Sequence, residues 1–152
     1  GYCLTTSSKR GPTRLISVIF GAPTMQERAT QTRELLAWGY ANFETKNVQP
    51  AKQVLAKAKV WFGKEDEVQI GLAENFNVTM PKGQANAIKT QLVVQPKLTA
   101  PLQPGQVVGK YVATLDGKVI SEKPLVALNA VEEAGFFARM LDHIKQFFSN
   151  LF

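Results

Sequence analysis

Residues 136–152 carry a regular arrangement of hydrophobic and polar positions. Their sequence is FFARMLDHIKQFFSNLF, and at about 100° per residue the apolar side chains fall on one continuous arc of roughly 160°. The polar side chains fill the other arc. The pattern predicts an amphipathic helix whose apolar face is formed by Phe136, Phe137, Met140, Leu141, Ile144, Phe147, Phe148, Leu151 and Phe152.

Two uses of such a helix follow from its length and composition. It is too short and too charged to span a bilayer, which requires about 20 mostly apolar residues. A phenylalanine-rich face on a terminal helix is typical of a helix that lies in the membrane interface. The alternative is that the helix docks its apolar face on its own domain, as many terminal helices do. We expect the membrane anchor, because the apolar arc continues to Phe152 without a C-cap.

Residues 1–43 predict two strands followed by a helix. Alternating and apolar runs favour strands over residues 1–9 and 13–21, joined by a turn at Arg10-Gly11-Pro12. The second strand is nearly all apolar, which predicts a central strand buried on both faces. The helix is expected over residues 25–43, with Thr24 and Glu27 as a capping box.

Arg28 lies near the start of that helix, where the macrodipole is positive and a cation has the unfavourable sign. An anion bound beside the helix N-terminus would offset this unfavourable interaction between the Arg28 charge and the helix dipole. A carboxylate is a suitable anion, because its two oxygens match the paired N–H groups of a guanidinium. The alternative is an ion pair with a nearby Asp or Glu. The sequence alone does not decide between a bound carboxylate and an ion pair within the protein.

Residues 44–131 contain short β-like runs separated by turns. Asp116-Gly117 predicts a two-residue hairpin turn, and the spacing of the runs is typical of a small antiparallel sandwich or barrel. The acidic cluster at residues 65–67 is expected to be solvated rather than to bind a metal. Strands are expected over residues 53–62, 67–73, 76–80, 87–94, 106–115, 118–122 and 123–128.

The net charge of +6 is compatible with an anionic partner, such as lipid headgroups or nucleic acid. The basic residues are scattered rather than clustered, so we expect no nucleic-acid binding. Cys3 is the single cysteine, which excludes an internal disulfide, and we expect it to be a packed strand thiol. The sequence shows neither a signal peptide nor a spanning segment. Because it starts inside a predicted strand, we expect the C-terminal part of a longer protein.

The sequence contains no recognisable set of catalytic residues. His143 is the only histidine and lies on the polar arc of the last helix, which disfavours a Ser-His-Asp arrangement. No phosphate loop or Cys/His ligand set occurs, and the S-x-x-K, S-x-N and K-T-G elements are missing. The nearest match, Thr6-Ser7-Ser8-Lys9, has Thr at the nucleophile position. We expect no cofactor, no metal and no catalysis by this chain alone.

Several segments, in this order, resemble the serine D-alanyl-D-alanine carboxypeptidases, the low-molecular-mass penicillin-binding proteins of Gram-negative bacteria. Residues 1–45 resemble the end of that family's transpeptidase-fold (β-lactamase-like) catalytic domain, and the later segments resemble its C-terminal β-domain and the approach to its anchor. The resemblance covers essentially the whole chain. The segments that carry it are GYCLTTSSKRGPTRLISVIFGAPTMQERATQTRELLAWGYANFET, VWFG, TMPKG, APLQPGQVVGKYVATLDGK and KPLVALNAVEEAGFF.

The resemblance implies an α+β protein in three parts. Residues 1–43 would be the last strands and helix of the catalytic domain, residues 44–131 a β-sandwich-like domain, and residues 132–152 a linker and the anchor helix. The family's nucleophilic Ser, its Lys partner, the S-x-N element and the K-T-G strand lie upstream of the position matching Gly1. The missing N-terminal part of the catalytic domain is therefore an implied partner of this chain.

The resemblance also implies a function. Enzymes of this family remove the terminal D-Ala from peptidoglycan stem peptides through an acyl-serine intermediate, and β-lactams react with the same serine. Arg28 matches the family's arginine that helps to bind the substrate's terminal carboxylate. The implied location is periplasmic, peripheral on the outer face of the inner membrane. The alternative for the chain by itself is a non-catalytic β-rich interaction module at a membrane surface.

Overall fold

A computed structural model describes residues 1–149, and their side chains as far as residue 147. The described residues form an α+β structure of ten strands, two α-helices and one short 3-10 turn. In chain order the elements are β1 (Tyr2–Arg10), β2 (Thr13–Ala22), α1 (Met25–Asn42), β3 (Phe43–Gln49), β4 (Ala56–Trp61), β5 (Glu67–Gly71), β6 (Phe76–Pro81), the 3-10 turn (Ala85–Ala87), β7 (Ile88–Val94), β8 (Leu98–Thr99), β9 (Val107–Leu115), β10 (Lys118–Ala127) and α2 (Phe136–Ser149).

The chain divides into two compact units, each with its own sheet structure. The first contains Gly1–Val48 and Asn77–Ile88, and the second contains Gln49–Phe76 together with the residues from Lys89 onward. In the first unit β1 and β2 form an antiparallel hairpin, and β3 pairs with β6. Thr45 on β3 makes two hydrogen bonds within this unit: its N–H donates to Thr13 Oγ1 at 3.1 Å, and its hydroxyl is hydrogen-bonded to the Thr79 hydroxyl at 2.8 Å.

Helix α1 begins where its sequence predicts. Thr24 is the N-cap, and its hydroxyl oxygen accepts a hydrogen bond from the Glu27 N–H at 3.1 Å. The helix ends at Asn42, one residue before the predicted end, because Phe43 already has an extended backbone and opens β3. Gly39 lies against β2, where a Cβ atom would come within 2.7 Å of Leu15 Cδ1. The absence of a side chain at Gly39 therefore sets the close approach of helix and strand.

The expectation that the second strand is central and buried on both faces is wrong for the described residues. β2 belongs to a two-stranded sheet, with β1 beside it and α1 against one face. The side chains on the other face of β2 are exposed to solvent: Ile16 is 67% exposed and Phe20 is 78% exposed. A run of apolar residues indicates how a strand prefers to be buried, but it does not supply the neighbouring elements that bury it.

The second unit is built on a six-stranded sheet of order β7-β9-β10-β5-β4-β8. β9 and β10, β10 and β5, and β5 and β4 pair antiparallel, as expected, whereas β8 pairs parallel with β4 through Val60 and Trp61. Alternate strand residues point into an apolar core. Its fully buried members include Val68, Ile70, Leu72, Phe76, Val108, Leu125 and Val131.

The hairpin predicted at Asp116-Gly117 is present between β9 and β10. Both residues have positive φ, 50° for Asp116 and 76° for Gly117, as a type I′ turn requires. The strands predicted over residues 118–122 and 123–128 form the single strand β10, which continues through Pro124. β3 and β8 were not among the predicted strands. The α+β class is confirmed.

Candidate functional site

The first candidate site surrounds the start of α1. Gly21, the last but one residue of β2, has φ +70°, a conformation that glycine adopts without steric cost. Thr24 then caps the helix, and the N–H of Arg28 donates to the Thr24 carbonyl at 3.1 Å. This local geometry directs the half-buried side chain of Arg28 to β1.

The Arg28 side chain contacts a backbone carbonyl rather than a carboxylate. Its Nη1 donates to the carbonyl oxygen of Cys3 at 3.0 Å, and its Nε is buried without a hydrogen-bond partner in the described part of the chain. Among residues 1–149 it forms no ion pair within 4.0 Å. The local Asp or Glu pairing considered for this arginine is therefore not formed there.

This arrangement leaves most of the binding capacity of Arg28 unused. A guanidinium carries five N–H donors, and the described contacts account for one of them. A carbonyl partner accepts a hydrogen bond but does not neutralise the positive charge. The site could therefore bind an anion through paired N–H groups. Cys3 itself is an exposed free thiol rather than the packed one expected, and only its backbone contributes to the site.

Helix α2 holds the second candidate site. Its described apolar side chains are 47–76% exposed. Leu151 and Phe152 lie outside the described residues, as does the side chain of Phe148. Among residues 1–149 no helix is long and apolar enough to cross a bilayer. The exposed members of the predicted apolar face are Phe136, Phe137, Met140, Leu141, Ile144 and Phe147.

Residues of the polar arc of α2 contact the linker before the helix and the β-sheet unit, which is the six-stranded sheet of the second unit with its loops. Asp142 Oδ2 accepts a hydrogen bond from the backbone N–H of Phe62 at 3.1 Å. The His143 ring lies 4.6 Å from the Phe62 ring between centroids, at an interplanar angle of 38°. Arg139 Nη1 pairs with Glu133 Oε2 at 3.3 Å. On the apolar arc, Phe136 and Phe137 are the most exposed of the described side chains, at 71% and 76%.

The segment before α2 is hydrogen-bonded to the residues that follow β4. Gly63 and Glu133 form an antiparallel bridge, and the Lys64 N–H donates to the Glu132 carbonyl at 2.8 Å. The side chains of Lys64 and Glu132 also form an ion pair. Hydrogen bonding within this pair raises the pKa of Lys64 and lowers the pKa of Glu132.

Sequence reasoning missed Phe62 and Asp142. Phe62 has φ +61°, a left-handed conformation that is rare for a bulky residue. Nothing in its sequence neighbourhood signals this, because the conformation depends on contacts with residues far along the chain. Asp142 lies among other polar residues of the helix and has no feature that singles it out as the acceptor for Phe62.

The comparisons with known proteins agree with this architecture. The protein family described as "Penicillin-binding protein 5, C-terminal domain" matches residues 43–133. D-alanyl-D-alanine carboxypeptidase DacC of Escherichia coli K12 is 40% identical over 153 aligned residues, which cover 100% of this chain and 38% of that protein. DacA of Haemophilus influenzae is 38% identical, and the match covers 100% of this chain and 39% of DacA. The crystal structure of penicillin-binding protein 5 from Haemophilus influenzae matches with a TM-score of 0.77 and 38% identity, over 88% of this chain and 39% of that one.

The fold and these matches define a C-terminal region of the penicillin-binding carboxypeptidase class. The chain belongs to the penicillin-binding protein 5 C-terminal domain family. It spans about two fifths of the length of the curated relatives that it matches, 38% of Escherichia coli DacC and 39% of Haemophilus influenzae DacA.

Proposed function

We propose that this chain is the C-terminal portion of a periplasmic D-Ala-D-Ala carboxypeptidase. In the whole protein a serine supplied by the upstream part would attack the terminal peptide bond of a peptidoglycan stem peptide, form an acyl-enzyme and release D-Ala. β-Lactams would acylate the same serine. The observation that carries the proposal is the match to DacC, 40% identical over 100% of this chain.

Each of the three parts of the chain has its own proposed role. Residues 1–43 would complete the sheet of the catalytic domain, residues 44–131 would form a stalk, and residues 132–152 would form the linker and anchor. The open face of β2 supports the first assignment, because Ile16, Val18 and Phe20 are exposed there. A larger layered domain would bury them.

Arg28 is the proposed substrate-binding residue, holding the terminal carboxylate of the stem peptide. Its support is the contact with the Cys3 carbonyl, which fixes the guanidinium at the start of β1 without neutralising its charge. Removing it should weaken both binding and orientation of the scissile bond, since a charge-assisted contact to a carboxylate contributes on the order of 1.5–3 kcal/mol.

The activity test uses the whole protein. Fluorescent penicillin should label it, and Arg28→Ala should lower kcat/KM for a D-Ala-D-Ala peptide by roughly 10- to 100-fold. Arg33→Ala is the matched control, because Arg33 is an exposed arginine on the same helix. Unchanged kcat/KM in the Arg28 variant would remove its proposed role. Failure of the native protein to react with penicillin would favour the non-catalytic interaction module.

The proposed anchor is α2, on the outer face of the inner membrane. Its support is the set of exposed apolar side chains, which includes Phe136 and Phe137. Co-sedimentation with lipid vesicles, with and without residues 136–152, tests the assignment. Replacing Phe136 and Phe137 by Ser should release the protein from vesicles, whereas Lys145→Gln on the polar arc should not. Equal sedimentation of the full and shortened chains would rule the anchor out.

A further inference from the structure

We propose that Asp142 and Phe62 form a clasp that fixes the orientation of the membrane-bound helix relative to the β-sheet unit. The proposal rests on the anchor function of α2 and adds to it a positioning role for two residues. An amphipathic helix on a flexible tether would hold a protein near a membrane at any angle. A helix docked by its polar arc would hold the protein at one defined angle.

The clasp depends on an unusual backbone conformation. Phe62, with φ +61°, is one of the few described residues other than glycine with positive φ. Strained backbone of this kind persists only where surrounding contacts hold it. Two hydrogen bonds do so here: the Phe62 N–H donates to Asp142 at 3.1 Å, and the Phe62 carbonyl accepts from the Ala134 N–H at 2.8 Å. Asp142 lies within α2 and Ala134 lies in the linker before it, so Phe62 is bonded to both segments.

The tight fit around Gly63 limits the movement of the linker. A Cβ atom at Gly63 would lie 2.6 Å from Val131 Cγ1 and 2.8 Å from the Glu65 carbonyl oxygen. Gly63 also bridges to Glu133, whose carboxylate pairs with Arg139 in the first turns of α2. The helix is therefore attached through the linker backbone, through Arg139 and through Asp142.

The directions of these contacts separate two sides of the helix. Asp142 and Arg139 contact the β-sheet unit or its linker, whereas Phe137, about 140–160° away around the helix, remains exposed. His143, which contacts the Phe62 ring, lies at the edge of the polar arc beside Phe136. Because residues on opposite arcs of a helix point away from each other, a bilayer that receives the apolar arc leaves the docking contacts in place. Membrane binding and docking are compatible in the same state.

Two measurements on the full chain test the clasp. Hydrogen exchange of the Phe62 amide should be slow in the native chain, free and on vesicles, and should accelerate about tenfold in Asp142→Ala, because the backbone donor loses its acceptor. Asp142→Asn keeps an acceptor oxygen and should restore most of the protection. Unchanged exchange of the Ile70 amide in the buried core would verify that the variants remain folded.

The second measurement reports orientation. Spin labels at Val119→Cys and Ala138→Cys, in a Cys3→Ser background, should give a narrow distance distribution on vesicles. Asp142→Ala should broaden it without reducing vesicle sedimentation. A broad native distribution, or one unaffected by Asp142→Ala, would overturn the clasp while the anchor stands. Loss of sedimentation by the native chain would instead overturn the anchor.

Discussion

Arg28 donates a hydrogen bond to the backbone carbonyl of Cys3 across 3.0 Å, which ties the first turns of α1 to the start of β1. The two residues are 25 positions apart in the sequence. The contact gives Arg28 a structural role that is separable from its proposed substrate role, because folding stability and turnover can be measured independently.

Arg28→Ala should lower the free energy of unfolding by about 1 kcal/mol, since the hydrogen bond that joins α1 to the Cys3 carbonyl on β1 is lost. Arg28→Lys should lower the free energy of unfolding by less, because an ammonium can also donate a hydrogen bond to a carbonyl. Urea denaturation measures both values. Arg33→Ala is the control and should stay within about 0.5 kcal/mol of the native chain. Equal stability of the Arg28→Ala and native chains would contradict the structural role.

Glu44 should make stability depend on pH. The Gly83 backbone N–H donates to its carboxylate at 3.1 Å and, together with Lys46, lowers the pKa of Glu44 below the ordinary glutamate value of 4.5. The unfolded state therefore binds the proton more tightly than the folded state does. The contribution is present above about pH 4.5 and is lost as the pH falls through the lower folded value.

Urea denaturation of the native chain and of Glu44→Gln between about pH 3 and pH 7 checks this expectation. The native chain should be the more stable at neutral pH, and the difference should shrink on acidification. A difference that stays constant over the whole range would contradict the assignment of the lowered pKa to Glu44.

Gly117→Ala should weaken the β9–β10 hairpin. The φ of +76° at Gly117 is costly for a residue with a Cβ, so the free energy of unfolding should fall by about 1 kcal/mol or more. Gly117→Asn should lower the free energy of unfolding by less, because Asn tolerates the left-handed region of backbone conformation. Gly135→Ala is the control, since a Cβ there meets nothing within 4 Å. Thermal unfolding would show all three effects, and equal losses at Gly117 and Gly135 would refute the turn argument.

Vesicle binding through α2 should depend weakly on salt. Arg139 pairs with Glu133 at 3.3 Å and Lys145 lies 4.0 Å from Asp142, so the described cations of the helix already have acidic neighbours. Apolar burial should then dominate, and affinity should change less than about threefold between low salt and physiological salt.

Glu133→Gln provides the comparison for this expectation. It leaves Arg139 without its carboxylate and should make binding to anionic vesicles stronger and more salt-dependent. Strong salt dependence in the native chain, unchanged in Glu133→Gln, would show that other cations control binding.

The features that could be predicted from the sequence are those set by a few adjacent residues. Thr24 and Glu27 specify the start of α1, because the cap is formed within one turn. Asp116 and Gly117 specify the hairpin in the same way. The periodicity of residues 136–152 predicts the helix that is observed as α2 over its described length.

The features that could not be predicted depend on distant partners. The two-residue strand β8 exists because Leu98 and Thr99 pair with β4, and so short a run has no pattern of its own. The exposure of β2 depends on which elements lie beside it. For Arg28, the sequence indicated an unusual cation at a helix start, but the Cys3 carbonyl became visible only when β1 and α1 were placed together.

The hairpin of β1 and β2 has a practical consequence for handling this chain by itself. β2 pairs with β1 on one side, and within residues 1–149 no strand occupies its other side. An edge of unpaired N–H and C=O groups, flanked by exposed side chains such as Phe20, is a template for adding strands from other molecules. Isolated at high concentration, the chain should self-associate through this edge, and a charged residue in place of Val18 should improve its solubility.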